Sequence, residues 1–592
     1  METISGFYND KLRKYTTELS KVTVKVKRFA WFRFLSFAGI FIPLFISGFK
    51  WIPLSISFVL MVLFFFLIKK NSSLEKRKRK FTVLKKLVED ETLALKHSFL
   101  HFQNGKEFLD TEHFFSYDLD LFGDGSLFQF LNRTATVGGR QKLASWLVHP
   151  SKDKKEIMER QEAVQELKQI PNWRLHFLAN GKLFDETETL SQEIKSWSKM
   201  ELGLNRAGAV KWLIRIVPLL TLLAIVPSTL GISDLFLLIM LVLQFVLMYF
   251  YWKRINQYFS FFGRKSELLA KYMQLLQFIE EREFQSDYLN GLQKKVSRPS
   301  AGRVFSQLKG LVKQFEYRQN ILVGLVLNGV FMWDIRCVYK LWNWHRKYHR
   351  ILAVWLDVIS EFDALISLGN YANNQSEFIF PEIHDGGFVL AAQELGHPLL
   401  KAEKRICNDM EITGWSKAMI VTGANMAGKS TFLRTVGVNH ILARVGAPVC
   451  AANMRVTPID IYTNMRTTDS LLKDESYFFA ELKRIKGVLD RLQAGERIFV
   501  ILDEMLKGTN SIDKLNGSKE LIKKLLEFKA VALIATHDLK LSEMEDEFPQ
   551  QVFNKCFEIR IEKDELIFDY KLSDGATKTM NATFLMKKMG II

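Results

Sequence analysis

Cysteine is scarce in this chain. Four stand in 592 residues, Cys337, Cys407, Cys450 and Cys556, and no two share a metal-ligating spacing. That excludes a zinc knuckle and fits a reduced, cytosolic compartment. Short repeats and long low-complexity tracts are also missing, which excludes a repeat array. Acidic residues are too few to balance the basic ones: 64 Asp and Glu against 82 Lys and Arg leave a net charge of +18. Such an excess points to nucleic acid or to an anionic membrane surface. Its distribution favours the membrane, because residues 69–86 alone hold nine Lys or Arg and one Glu, directly after an apolar stretch. A chain of this length is expected to fold as several domains.

The strongest positive feature is Val421-Thr-Gly-Ala-Asn-Met-Ala-Gly-Lys-Ser-Thr431. Gly423, Gly428, Lys429 and Ser430 fit the phosphate-wrapping pattern G-x-x-x-x-G-K-[ST]. The apolar run Ala418–Val421 before it reads as a buried strand, and Thr431–Arg444 after it reads as a helix. A chance glycine turn would lack that strand–loop–helix context. Loop N–H groups and the helix N-terminus would face the anion. Lys429 would reach the β- and γ-phosphates of ATP, and Ser430 would hold Mg²⁺. Ile498-Phe-Val-Ile-Leu-Asp-Glu504 supplies the complement. Five apolar residues in a row suit a strand buried on both faces. Asp503 at its end would bind Mg²⁺, and Glu504 would orient or deprotonate the attacking water. A third strand, Ala530–Ala535, ends at Thr536-His537-Asp538, where His537 could contact the γ-phosphate or simply be structural.

Together these segments resemble the ATPase domain of the MutS mismatch-repair family. Its P-loop is close to G-P-N-M-G-G-K-S-T. This chain keeps Gly423, Asn425, Met426, Gly428, Lys429, Ser430 and Thr431 and departs at Ala424 and Ala427. Ser476-Tyr-Phe-Phe-Ala-Glu-Leu482 is similar to the family's S-x-F-M-x-E-M segment. Asp503-Glu504 with Gly508-Thr509-Asn510-Ser511, Ala535-Thr-His-Asp538, Tyr570–Gly575 and Ala582–Gly590 fit its later patterns. Upstream, Leu127–Thr136, Gly138-Gly139-Arg140, Leu143–Pro150 and Arg160-Gln161 resemble the start of the family's core, or lever, domain; Trp355–Ala372 resembles its end, and Gly396-His-Pro398 the lead-in to the ATPase.

The resemblance implies an ATP-switched dimer with composite sites, in which Ser476 of one subunit meets the γ-phosphate held by the other. Ser476 also suits the N-cap of a helix from Tyr477 to Leu492. DNA is the partner the family implies. Only about 115 residues precede the core match, and the two Phe-x-Glu triplets, Phe184-Asp-Glu186 and Phe380-Pro-Glu382, lie inside or after the core region and read as chance. Mismatch reading is therefore not expected, and the DNA expected is gripped without it.

Four apolar stretches read as membrane spans. Residues 29–49 and 51–68 form one pair, with Pro43 and Pro53 inside and a break at Lys50-Trp51. Residues 212–231 and 235–252 form another, turning at Pro227–Asp234. A span needs roughly 17–25 apolar residues. Basic residues flank both pairs on their outer ends, so the positive-inside rule keeps those ends, and the ATPase, in the cytoplasm. A signal peptide does not fit two successive apolar segments followed by a basic run. Tyr249–Trp252 suit an interfacial belt. The run Ile321–Leu341 contains Asp334 and Arg336 and reads as a core helix.

The expected architecture is an α-helical core and lever domain carrying transmembrane hairpins, followed by an α/β P-loop ATPase of the ABC type. The layout is a cytoplasmic segment at 1–28, hairpin 1 at 29–70, a basic linker at 71–116, core at 117–205, hairpin 2 at 206–254, lever and core at 255–372 and ATPase at 373–592. An ABC-transporter half with no DNA role is the competing reading. It needs an L-S-G-G-Q segment, which this chain does not contain.

Overall fold

The computed structural model describes all residues except 1, 48–50, 198–202, 205, 264, 425, 467–476, 507–508, 563–564 and 578–592. Two long helices open the chain, α1 (Glu2–Ser47) and α2 (Trp51–Leu95). They run antiparallel: Ser57 Oγ donates to Ile40 O at 2.8 Å, the Phe37 and Phe64 rings lie 5.5 Å apart, and Arg77 meets Glu18 at 3.4 Å. The borders expected at residues 28 and 70 fall inside these helices. Lys, Arg and Glu are good helix formers, so the basic run extends α2 instead of ending it. Residues 71–95 are thus part of α2. Residues 1–28 do not lie apart as a polar segment, because Tyr8, Tyr15, Leu84, Leu87 and Val88 continue an apolar stripe into the core.

The first core part holds α3 (Leu127–Leu131), α4 (Val137–Val148), α5 (Lys154–Lys168), α6 (Pro171–Lys182) and α7 (Glu188–Trp197). Then come α8 (Ala207–Thr229) and α9 (Leu235–Phe262), followed by α10 (Ser266–Glu280), α11 (Asp287–Ser297), α12 (Ala301–Glu316), α13 (Ile321–Phe331) and the 42-residue α14 (Trp333–Asn374). The Leu127–Thr136 motif is scaffolding. Thr136 caps α4 by accepting from Gly139 N at 2.9 Å. Asp363 of α14 accepts from Ala135 N at 3.0 Å and from Thr136 N and Oγ1 at 2.8 and 2.7 Å. Gly138 and Gly139 let α4 lie against α14, since a Cβ on either would collide with Ser360 or Asp363. Arg133 Nε donates to buried Glu91 at 2.7 Å, Asn374 Nδ2 donates to the same carboxylate at 2.7 Å, and Tyr8 OH donates to Asn374 at 3.0 Å. This network fastens both N-terminal helices to the far end of α14.

Among the described residues three helices, α2, α8 and α9, are long and apolar enough to cross a membrane, and α13 with the start of α14 adds a fourth candidate if that bent pair is one span. Residues 29–49 are not among them, and 48 and 49 lie outside the described residues. The core helix expected over Ile321–Leu341 is two helices meeting at about 80°. The break is at Met332, which is buried and left-handed at φ 50°.

The C-terminal half comprises β1 (Glu382–Ile383), β2 (Val389–Leu395), β3 (Asn408–Thr413), β4 (Lys417–Gly423), α15 (Lys429–Arg444), β5 (Asn453–Val456), β6 (Asp460–Asn464), α16 (Tyr477–Gln493), β7 (Ile498–Asp503), α17 (Ser511–Glu527), β8 (Val531–Thr536), α18 (Met544–Glu547), β9 (Val552–Glu562) and β10 (Glu565–Asp574). Six strands form one sheet in the order β10-β9-β4-β8-β7-β6. All neighbours in it are parallel except β9 and β10. A smaller sheet runs β1-β5-β2-β3. The central strands β4, β7 and β8 are buried almost throughout, as their continuous apolar runs require.

Candidate functional site

In an open parallel sheet, ligands sit beyond the carboxyl ends of the strands. Gly423 ends β4, Asp503 ends β7 and Thr536 ends β8; Asp503 pairs in register with Ala535, and Thr422 with Thr536. The expected P-loop, Walker-type acid and His537 therefore meet at one edge. Gly423 has φ 151° and its Cα lies so close to Phe557 that a Cβ would sit 3.0 Å from that residue's carbonyl. Gly428 has φ 104°, a left-handed conformation that only glycine adopts without strain, and it starts α15.

A cavity of about 650 Å³ opens here, lined by Met426, Gly428, Lys429, Ser430, Thr431 and Glu504 among others. Lys429 is 5 % exposed, and its ammonium donates to Gly423 O at 2.7 Å and Ala424 O at 2.9 Å. Burial lowers its pKa from the usual lysine value, and the facing carboxylates of Glu504 and Asp503 oppose that shift. Glu504 is left-handed at φ 54° and held by its N–H on Ala535 O at 2.9 Å. His537 Nδ1 lies 3.2 Å from Glu504 Oε1, with its ring half-exposed. Met426, Leu506 and Tyr570 are also left-handed, at φ 69°, 56° and 53°. Strained non-glycine residues of this kind cluster at functional sites. Ala427 is buried. Asn425, Gly508, Ser476 and the Ala582–Gly590 segment lie outside the described residues.

The segment similar to S-x-F-M-x-E-M reaches this edge through Glu481. Its buried carboxylate accepts from Leu506 N at 2.7 Å, two residues after Glu504. Asn464 Nδ2 donates to the same oxygen at 3.4 Å, so α16, β6 and the loop after β7 are tied together.

Several walls of the cavity were not anticipated as site residues. Leu395, His397, Leu400, Ile406, Asn408 and Tyr570 are among them. Asn408 Nδ2 donates to Tyr570 O at 3.0 Å and its Oδ1 accepts from Leu572 N at 2.8 Å, which closes the arm after β2 onto β10. His397 is neutral near pH 7: burial, then Arg434, push its pKa down to about 4. The Gly396-His-Pro398 triplet was the only sequence signal for this arm. The two Phe-x-Glu triplets have structural roles. Glu186 is buried and accepts from Lys271 Nζ at 2.8 Å and Tyr272 OH at 2.6 Å, and Glu382 pairs with Arg455 at 3.4 Å. Mg²⁺ usually keeps one or two protein carboxylates alongside phosphates and waters. A hydroxyl at Ser430 and a carboxylate at Asp503 on one edge fit that pattern. Among the described residues there is no cluster of three or more His, Cys, Asp or Glu able to hold a metal by itself.

Comparison with known proteins agrees with this arrangement. A family model for MutS domain V matches residues 419–587, and one for MutS domain III matches residues 111–230. "MutS protein homolog 4" of Mus musculus is 31% identical over 281 residues, 46% of this chain and 27% of that protein. "DNA mismatch repair protein MutS" of Aquifex pyrophilus is 32% identical over 225 residues, 37% of this chain and 26% of that protein. The chain thus spans about a quarter of the length of these curated relatives. Domain III precedes domain V along one polypeptide, and the glycine loop and the Asp503-Glu504 strand both fall within the domain V match, so the chain belongs to the MutS family.

Proposed function

We propose that this chain is an ATP-hydrolysing MutS-type switch, working as a homodimer anchored in the cytoplasmic membrane with its ATPase half in the cytoplasm. One observation carries the catalytic reading: Lys429 and Glu504 line one cavity, and His537 is bonded to the Glu504 carboxylate at 3.2 Å. The P-loop backbone from Gly423 to Gly428 and the start of α15 receive the phosphates. Lys429 exchanges its carbonyl partners for the β- and γ-phosphates. Glu504 accepts a proton from the water whose oxygen attacks the γ-phosphorus; the bond to the β–γ bridging oxygen breaks, and ADP and phosphate leave. His537 holds the Glu504 carboxylate in place. Ser430 and Asp503 would hold Mg²⁺, which when bound neutralises charge on the phosphates. The apolar and aromatic walls Leu395, Leu400, Ile406 and Tyr570 suit a nucleobase.

Ser476, directly before α16, would complete the partner's site, so closure of two ATPase halves accompanies ATP binding. DNA is the partner that the family suggests. The membrane reading is supported by α2, α8 and α9, whose outward residues include Phe58, Phe65, Leu238 and Val242 at 54–62 % exposure, and by the basic run after the first of them.

ATP turnover of the detergent-purified full chain tests this, with and without homoduplex, mismatched and branched DNA. Lys429→Ala and Glu504→Ala should each lose at least about a hundredfold in turnover. Glu504→Ala should still bind ATP and trap a dimer. Wild-type turnover by Glu504→Ala would overturn the assignment. Turnover indifferent to every DNA would remove DNA from the proposal.

A further inference from the structure

α13 has an apolar outer face with no protein against it. Ile321, Leu322, Leu325 and Val326 are 58–82 % exposed, whereas Gly324, Asn328 and Gly329 face inward. The inner face packs on α8 and α9. Two contacts set its depth. A Cβ at Gly329 would lie 3.7 Å from Leu241 Cδ2, and buried Gln244 donates to Val330 O at 3.4 Å as well as to Thr221 Oγ1 at 2.5 Å. Leu241 and Gln244 are in the middle of the apolar part of α9. The chain just before α13 is at another level. Arg318 stacks 5.8 Å from the Trp252 ring and 5.0 Å from Phe259, at the aromatic, basic end of α9. From Trp252 to Gln244 is eight residues, about 12 Å along a helix.

The chain then returns. Trp333 Nε1 donates to Gln314 O at 2.8 Å, and Trp344 Nε1 donates to Val304 O at 3.3 Å, so α14 runs back antiparallel along α12. Arg318 and Asp334, on the two limbs of this excursion, pair at 3.2 Å. A segment that crossed the membrane would carry α14 away from α12. Eleven residues reach about 16 Å, half of a hydrocarbon core of about 30 Å.

Resting on the membrane reading above, we infer that α13 is a re-entrant segment that enters one leaflet beside α9 and returns to the same side, its outer face solvated by lipid acyl chains. Polar backbone at that depth is sheltered by protein, as Gln244 and Asn328 show: the Asn328 amide oxygen accepts from Asp334 N at 2.9 Å. The segment is joined directly to α14, whose other end meets Glu91 and Tyr8 through Asn374, so α14 has a foot in the bilayer.

Single cysteines would be placed in the full-length Cys407→Ser chain, whose other three thiols are buried. Leu325→Cys reports α13, Leu238→Cys reports α9, and Met158→Cys reports the water-exposed surface of α5. Each would carry an environment-sensitive fluorophore, in vesicles of phosphatidylcholine and phosphatidylglycerol. The inference expects Leu325→Cys to be quenched by doxyl-labelled lipid and protected from aqueous dithionite, as Leu238→Cys is, while Met158→Cys shows the reverse. Leu325→Cys exposed to dithionite with Leu238→Cys protected would overturn the re-entrant segment and leave the membrane reading standing. Exposure of both would overturn the two together.

Discussion

Asp118 is the most informative residue to remove outside the cavity at the end of β4. It belongs to the N-terminal half but is spent on the C-terminal half. Its side chain is fully buried and accepts from Thr463 Oγ1 at 2.7 Å, Arg466 N at 2.9 Å, and Met465 N and Arg484 Nη2 at 3.3 Å. Asp118→Ala leaves two backbone N–H groups without their carboxylate acceptor. Each stranded buried donor costs about 1–3 kcal/mol. Arg484 loses less, because it also donates to Thr463 O at 3.1 Å and Arg466 O at 3.3 Å. The two N–H groups together cost about 2–6 kcal/mol, a range that spans what breaking a buried pair costs. For a domain the size of the C-terminal half this corresponds to a fall in Tm of roughly 4–24 °C. The readout is thermal unfolding of the detergent-solubilised chain by intrinsic fluorescence. Asp124→Ala, whose carboxylate accepts a solvent-exposed hydrogen bond from Asn104 Nδ2 at 2.7 Å, is the control and should change stability by no more than about 0.5 kcal/mol. An Asp118→Ala protein melting within about 2 °C of wild type would refute the idea that this carboxylate joins the halves.

Two further outcomes follow from the C-terminal half. Gly428→Ala forces a left-handed alanine, costing about 1–2 kcal/mol, and places a methyl 3.0 Å from the Tyr570 ring, so ATP binding measured by titration calorimetry should weaken about tenfold or more, and unchanged affinity would refute the loop geometry. His440 is fully buried with Nε2 3.0 Å from Ile459 O, and burial, then Arg444, push its pKa down to about 3. Its folded pKa is below the unfolded one, so the unfolded state binds more protons and stability is lost as pH falls from about 6.5 toward 3, by about 2 kcal/mol between pH 7 and pH 5. His440→Gln should show a smaller drop in Tm over that interval, and an identical drop would assign the acid sensitivity elsewhere, His397 being the next group with the same sign.

The glycine loop after β4 and the acidic pair after β7 were legible as local structure because strand, glycine turn and helix are set by residues close in sequence. α15 begins at Lys429, and β4, β7 and β8 lie within a residue or two of the apolar runs that announce them. The arm from Leu395 to Asn408 was not legible as a wall of the cavity. It faces the P-loop only because Asn408 bonds across to Tyr570 and Leu572, more than 160 positions later. The changes of character at residues 28 and 70 leave no break in the backbone for a different reason. Hydropathy changes there, but helix propensity does not, and the two helices run on through the change.

By itself the sequence determined the glycine loop at the end of β4, the carboxylates at the end of β7 and the apolar character of α2, α8 and α9, since each depends on residue type at short spacing. Only the tertiary structure decided which distant groups share that edge, that Asp118 binds the C-terminal half, and that Ile321–Leu341 folds back at Met332 instead of continuing. Met332 has no proline or glycine beside it to signal a turn. Its left-handed backbone is held by packing, with Trp333 bonded to Gln314 and Asp334 paired with Arg318 on the returning side.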